Sequence, residues 1–271
     1  MKIIPLTIVI PTFNAARLIA RCLDSVVYQS HRPLEVLVID GNSTDDTMKV
    51  VESYTQRWSF VRCASEPDLG IYDAMNKGLS QCTGEWVYFL GADDQLHNPR
   101  VLETVCRHFS DGVDFLYGDV FNATKQQAIG EPFDRDKLFG KTICHQAIFY
   151  RNTLLMRVGN YNLDYRVCAD WDMNIRCFAA QCRPRYLSLT ICTYGGDGFS
   201  SKITDEVFLQ HKLSVISRLY KASFWNNLFL PLRYDFYDRA ASFKKEGRLL
   251  TAIYFFIIYL YHGARAKIGV N

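Results

Sequence analysis

A chain of 271 residues with 49% hydrophobic and 22% charged side chains can bury one large α/β core, which excludes a disordered or fibrous protein. The net charge of +3 is unevenly spread: residues 201–271 hold 11 Lys/Arg against 5 Asp/Glu, so the basic excess lies in the last quarter of the chain. Nine scattered cysteines without a CxxC pair exclude a zinc ribbon or a disulfide framework and read as reduced thiols of a cytosolic protein.

The chain opens on a short apolar run, Ile3 to Ile10, which is interrupted by Pro5 and is no secretory signal. Its β-branched part, Leu6 to Ile10, predicts a first strand, and Pro11-Thr12-Phe13-Asn14 turns out of it. Leu18, Ile19, Cys22, Leu23, Val26 and Val27 then recur at helical spacing. Leu34 to Ile39 is a second strand, mostly apolar in a continuous run as a doubly covered parallel strand should be, and it ends at Asp40. Ser43-Thr44-Asp45-Asp46 is expected to cap a helix reaching about Trp58, with acidic residues in its first turn. Phe60 to Ala64 makes a third strand.

Two strand–helix–strand units imply a parallel sheet with right-handed crossovers. The turn after the first strand lacks the glycines of GxGxxG, and no Gly-Lys-Ser/Thr follows, which argues against hydride transfer and a P-loop. Pro67 and Gly70 then make a turn, followed by a short helix that Gly78 or Gly84 ends. Val87 to Leu90 is a buried strand that runs through Gly91 and Ala92 into Asp93 and Asp94. Three successive strand ends therefore present Thr12 with Asn14, then Asp40, then Asp93 with Asp94. In an open parallel sheet such ends share one edge, where ligands bind. Two adjacent carboxylates suit Mn²⁺ or Mg²⁺, which in turn suits a diphosphate.

In the second half, Val101 to Phe109 predicts a helix and Val113 to Tyr117 a strand, while residues 121 to 142 read as loops and short strands. Cys144 to Tyr150 reads as a strand opening with His145. Trp171, Ile175, Phe178 and Cys182 form a helical stripe with Asp170 and Asp172 at its start. Two residues apart on a helix is about 200°, so only one of these acids can face a substrate. Tyr194 to Ser200 is a glycine-dense loop, and residues from Glu206 onward read as helices on or beside the body. Leu249 to Tyr261 is almost wholly apolar and flanked by Lys and Arg, yet thirteen residues fall short of the roughly 20 a span needs. It reads as an interfacial anchor on an anionic membrane, with a buried terminal helix as the alternative.

Thr7 to Asn14, Val38 to Thr47, Ser65 to Gly78 and the Asp93-Asp94 pair, in this order, resemble the family 2 glycosyltransferases. These are inverting enzymes of the GT-A fold, and the resemblance is nearest to the exopolysaccharide and colanic-acid-type branch. It covers roughly residues 4 to 200. It implies a GT-A domain over 1–200, with a nucleotide-sugar half at 1–95 and an acceptor half at 96–200, and a helical, basic extension over 201–271. The donor would be a UDP-sugar, with Asp40 on the uracil ring and Pro11, Thr12 and Asn14 lining the base and ribose pocket. Asp68, Lys77 and His145 would join the donor contacts, and Asp93 and Asp94 would hold Mn²⁺ or Mg²⁺. Asp170 aligns with the catalytic base, with Asp172 in reserve. The acceptor would be a glycan or a lipid-linked oligosaccharide of surface polysaccharide synthesis, at the inner face of the cell membrane. Gly91, Ala169 and Met75 depart from the family, which commonly has Asp, Glu and Arg there. The rivals are an inactive nucleotide-sugar binder and a sugar nucleotidyltransferase; nucleic-acid binding is disfavoured, because the aromatic residues of the tail are not interleaved with Lys/Arg.

Overall fold

The computed structural model describes residues 2–134, 137–195, 204–220 and 253. The elements run β1 (Lys2–Thr12), α1 (Ile19–Val27), β2 (His31–Asp40), α2 (Thr47–Arg57), β3 (Val61–Ser65), α3 (Ile71–Gln81), β4 (Trp86–Phe89), β5 (Gln95–Leu96) and α4 (Val101–Cys106). They continue with β6 (Phe115–Asn122), β7 (Gln127–Ile129), β8 (Ile148–Arg151), α5 (Asn152–Val158), α6 (Ala169–Ala179), β9 (Pro184–Tyr194) and α7 (Glu206–Tyr220). The sheet order is β3-β2-β1-β4-β8-β6-β9-β5, with β7 beside β6. Strands β3, β2, β1 and β4 pair in parallel, as the two strand–helix–strand units require. Strand β8 then enters antiparallel between β4 and β6, and β6 pairs in parallel with β9.

The alternation of side chains along each central strand explains why the strands are mostly apolar on both faces. In β1, Ile8 and Ile10 enter one core while Val9 enters the other; in β2, Val36 and Val38 oppose Leu37 and Ile39; in β4, Trp86 and Tyr88 oppose Val87 and Phe89. Helices α1, α2 and α4 cover the first face, and α3, α5 and α6 the second. Gly78 lies inside α3 and does not end it. A Cβ there would lie 2.4 Å from Val9 Cγ1, so glycine is what lets α3 lie close against the sheet. Helix α2 has its acids before Thr47, not in its first turn. Asp45 accepts from the amides of Ala16 and Thr47, which ties the start of α2 to the turn after β1.

At the opposite end of the sheet from Asp40, Glu35 is buried and accepts hydrogen bonds from the Thr7 hydroxyl (2.7 Å) and from the Thr83 amide and hydroxyl (2.7 Å each), besides pairing with Arg62. Burial alone would raise its pKa, but these bonds outweigh it and hold the carboxyl below its ordinary 4.5. Thr7 also accepts from the amide of Gly84, so one carboxylate fixes β1, β2 and the entry to β4. Stability from this group is present above the unfolded pKa and is lost as pH falls through the lower folded value. Glu35→Ala is therefore expected to cost about 3 kcal/mol at pH 7, the scale for removing a buried, multiply bonded acid. Urea unfolding at pH 7 and pH 4 should show the deficit shrinking at the lower pH; an equal deficit at both would refute the charged role.

Candidate active site

Strands β1 and β2 deliver the first part of the site. Thr12 pairs with Asp40 in the parallel register, and Gly41 N–H donates to Thr12 O at 2.9 Å. Asn14 and Asn42 both hold left-handed backbone (φ 49° and 64°), which bends each chain sharply off its strand. The two turns are laced together: Asn14 N–H donates to Ser43 Oγ at 2.7 Å, and Thr44 N–H donates to Asn14 Oδ1 at 2.9 Å. Asp40 is fully buried, and its carboxylate accepts from Ser43 N–H (3.0 Å), Ser43 Oγ (2.5 Å) and Ser65 Oγ (2.6 Å). Pro11 is the last-but-one residue of β1, opposite Ile39. Asp68 folds over Gly41, where a Cβ would lie 2.5 Å from its Oδ2, and accepts from Gly70 N–H. Lys77 donates to Pro67 O (2.6 Å) and pairs with Glu66 and Asp73 (3.1 and 3.5 Å), so its charge is already engaged in holding that turn.

Beyond β4 the chain turns through Gly91, whose carbonyl accepts from Asp94 N–H at 3.0 Å. Asp93 is exposed, whereas Asp94 is 3% exposed and accepts from Gln146 Nε2 at 3.0 Å. Burial, and then the charge of Asp93, push the Asp94 carboxyl from 3.8 up to about 7. A buried acid so short of counter-charge, beside a second acid, fits a divalent cation. Among the described residues no three His, Cys, Asp or Glu side chains gather into a cage for one. Gly91 is constrained as well: a Cβ there would lie 2.6 Å from Asp94 Oδ2, so in this chain Asp94 occupies the space a side chain at 91 would need.

Asp170 sits in the first turn of α6 and does not cap it; the cap position is Cys168. Asp170 Oδ1 accepts from Trp171 N–H (2.8 Å) and from the Tyr72 hydroxyl (3.3 Å), and Oδ2 lies 3.3 Å from His145 Nδ1. Burial, with Asp170 adding to it, raises the Tyr72 hydroxyl far above its ordinary range, so it stays a donor. Asp172 points elsewhere: it is buried and paired with Arg176 at 2.7 Å. His145 does not open a strand. It belongs to a single 3₁₀ turn, His145–Ala147, ahead of β8. That turn is the centre of the site, because His145 reaches Asp170 and its neighbour Gln146 reaches Asp94. His145 Nε2 is buried and, among the described residues, has no hydrogen-bond partner. With Nδ1–H toward Asp170, Nε2 presents a lone pair.

Two clefts open here. One of about 270 Å³ is lined by Arg21, Asp93, Gln95, Thr124, Thr193 and Tyr194, among others. The second, about 380 Å³, has Tyr117, Phe133, Ile143 and Cys144 in its wall and shares Tyr194 with the first. The Gly196 to Ser200 part of the glycine-dense loop lies outside the described residues.

The Glycosyl transferase family 2 profile matches residues 7–169. The chain belongs to that family. Its GT-A fold and its class, a glycosyltransferase, follow. It is 40% identical over 222 residues to a PGL/p-HBAD biosynthesis glycosyltransferase of Mycobacterium bovis, spanning 79% of this chain and 85% of the relative. S. aureus TarS 1–349 in complex with UDP-GlcNAc superposes with a TM-score of 0.70 at 19% identity, covering 93% of this chain and 79% of TarS. Mannosyltransferase PcManGT from Pyrobaculum calidifontis, in complex with GDP-Man and Mn²⁺, superposes at 0.59 with 17% identity, covering 98% and 76%. At these identities the two structures speak for the fold. The family's departure at 169 has a packing reason, since Ala169 is fully buried in the second core and a glutamate there would bury a charge.

Sequence reasoning reached Asp40, Asp93, Asp94 and Asp170 but passed over Tyr72, Gln146, Ser43 and Ser65. Gln146 carried the one available signal, its place beside His145. In buffer free of divalent cations, the Asp94 carboxylate costs stability as pH rises from its unfolded 3.8 toward about 7, because the folded state prefers the proton. Asp94→Asn removes that cost, so the variant should exceed the native chain in unfolding free energy at pH 7.5, by at most about 4 kcal/mol, and match it near pH 4. Urea titrations with EDTA at the two values measure it; a variant less stable at pH 7.5 refutes the uncompensated charge.

Proposed function

We propose that the protein is an inverting, metal-dependent transferase that moves a sugar from a UDP-sugar to a hydroxyl of a glycan or lipid-linked acceptor. One observation carries this reading: the adjacent residues His145 and Gln146 hold Asp170 and Asp94 on either side of a single turn. A carboxylate suited to taking a proton thus stands beside one suited to holding a cation. Asp170 accepts the acceptor's hydroxyl proton as the oxygen–carbon bond forms at the anomeric centre and the carbon–phosphate oxygen bond breaks. Tyr72 and the Trp171 amide orient that carboxylate. With one base and one displacement, the anomeric configuration inverts.

Asp40 holds the nucleobase. Its three bonds to Ser43 and Ser65 fix its orientation and still leave a carboxylate lone pair for a ring N–H. Thr12, Asn14 and Pro11 line the base and ribose side, with Asp68 over the turn at Gly41. Asp93 and Asp94 would hold Mn²⁺ or Mg²⁺, which supplies charge neutralisation for the departing diphosphate; His145, through its unpartnered Nε2, would add a contact to the donor. The uridine assignment draws support from the TarS complex with UDP-GlcNAc, and the metal from PcManGT with Mn²⁺. The basic tail supports work at the inner membrane face. The apolar run Leu249 to Tyr261 lies outside the described residues except for Ile253, and no described helix is long and apolar enough to cross a membrane.

Calorimetry of UDP with Mn²⁺, and again with EDTA, tests the donor site: binding should need the metal and vanish in Asp93→Asn. Binding of GDP or dTDP in place of UDP would move Asp40 to another base. Asp170→Asn should keep UDP affinity within about twofold while turnover of UDP-glucose or UDP-GlcNAc, read as UDP release, falls by about 10³-fold. Asp172→Asn should lower stability and leave Asp170 chemistry in place; the reverse pattern would transfer the base to Asp172. Gly91→Asp, which restores the family's usual acid, is expected to weaken metal-dependent UDP binding, because Asp94 already fills that space.

A further inference from the structure

A departing diphosphate carries more negative charge than one divalent ion cancels, so the donor site needs a cation. The two positions the family comparison offers do not provide a free one. Met75 is an apolar residue fully buried in the second core, and Lys77 is engaged by Pro67 O, Glu66 and Asp73. A third cation lies on the other side of the acidic turn. Arg21, on the exposed side of α1, lines the cleft of about 270 Å³ together with Asp93.

Among the described residues, the guanidinium of Arg21 makes one hydrogen bond, from an Nη to the main-chain oxygen of Asp93 at 3.3 Å, and no ion pair. A main-chain carbonyl fixes the planar fork without neutralising it, leaving further N–H donors to face the cleft. The next residue, Cys22, donates through its thiol to Gly91 O at 3.3 Å, so α1 is bolted to both ends of the acidic turn. The remaining lining of the cleft is mostly polar, with Gln95, Thr124 and Thr193. Arg21 thus stands as a fixed, unneutralised positive charge beside the acid expected to hold the metal.

We infer that Arg21 binds the donor's diphosphate, taking the place of the absent arginine at 75 from the opposite side of the acidic turn. This rests on the UDP-sugar reading above. The bond would be charge-assisted and suited to the bidentate match between guanidinium and phosphate oxygens.

Calorimetry of UDP and of UMP, both with Mn²⁺, on the native chain, Arg21→Ala and Arg21→Lys tests it. The Ala variant should bind UDP at least tenfold more weakly, UMP should lose less, and Lys should recover part of the loss. Circular dichroism and melting of each variant separate this from a folding defect, which the exposure of Arg21 makes small. Equal UDP affinity in the native chain and Arg21→Ala overturns the assignment and leaves the donor reading standing. Absence of UDP binding in the native chain overturns the donor reading itself. A loss equal for UDP and UMP places Arg21 on the nucleoside side and overturns its diphosphate role.

Discussion

The buried carboxylate of Asp94 is the constraint from which much of the site follows. It lies one turn beyond β4, whose side chains are apolar on both faces, and it is too deep for water to offset its charge. Three features answer to it. Residue 91 is glycine because the carboxylate occupies the adjoining space; Gln146 is turned inward to donate to it; and the exposed Asp93 beside it adds a second negative charge. The departure from the family at 91 and the arrangement of the 3₁₀ turn are one adjustment seen from two sides.

That turn also connects halves of the chain that do different work. The first half is a parallel scaffold whose strand ends meet because parallel strands in register must end together. The second half brings a helix whose first turn carries Asp170, the proposed base. Nothing in the parallel sheet places that helix relative to the acidic pair; the His145–Gln146 step does, since two consecutive side chains point to opposite acids. A third contact strengthens the joint: Asp205 accepts from the amides of Val167 and Cys168 just ahead of α6 and caps α7 through Phe208 N–H.

Much of this was legible in the sequence where the relevant physics is local. The mostly apolar runs at residues 34–39 and 87–90 announce strands covered on both faces, with Asp40, Asp93 and Asp94 beyond their ends. The 200° separation of Asp170 and Asp172 foretold that they would face different ways. What could not be read depends on partners distant in the chain. Glu35 gathers Thr7, Arg62 and Thr83, up to 48 residues away, and no window of sequence contains that set. The apolar run after His145 predicts a strand from that residue on, whereas its 3₁₀ turn comes from tertiary contacts on either side. Gly78 looked like a helix stop, since glycine usually is one, yet its role is close packing against Val9.

Asn76 and Tyr161 exchange two hydrogen bonds, Nδ2–H to Tyr161 O at 2.9 Å and Tyr161 N–H to Oδ1 at 2.8 Å, while Tyr72 stacks on the Tyr161 ring at 5.5 Å. A helix of the donor half is thereby clasped to the segment that leads into the catalytic helix. Opening the chain at this seam would break both bonds and expose two packed rings, so substitution of Asn76 or Tyr161 would loosen α3 from the segment before α6 without touching either acid.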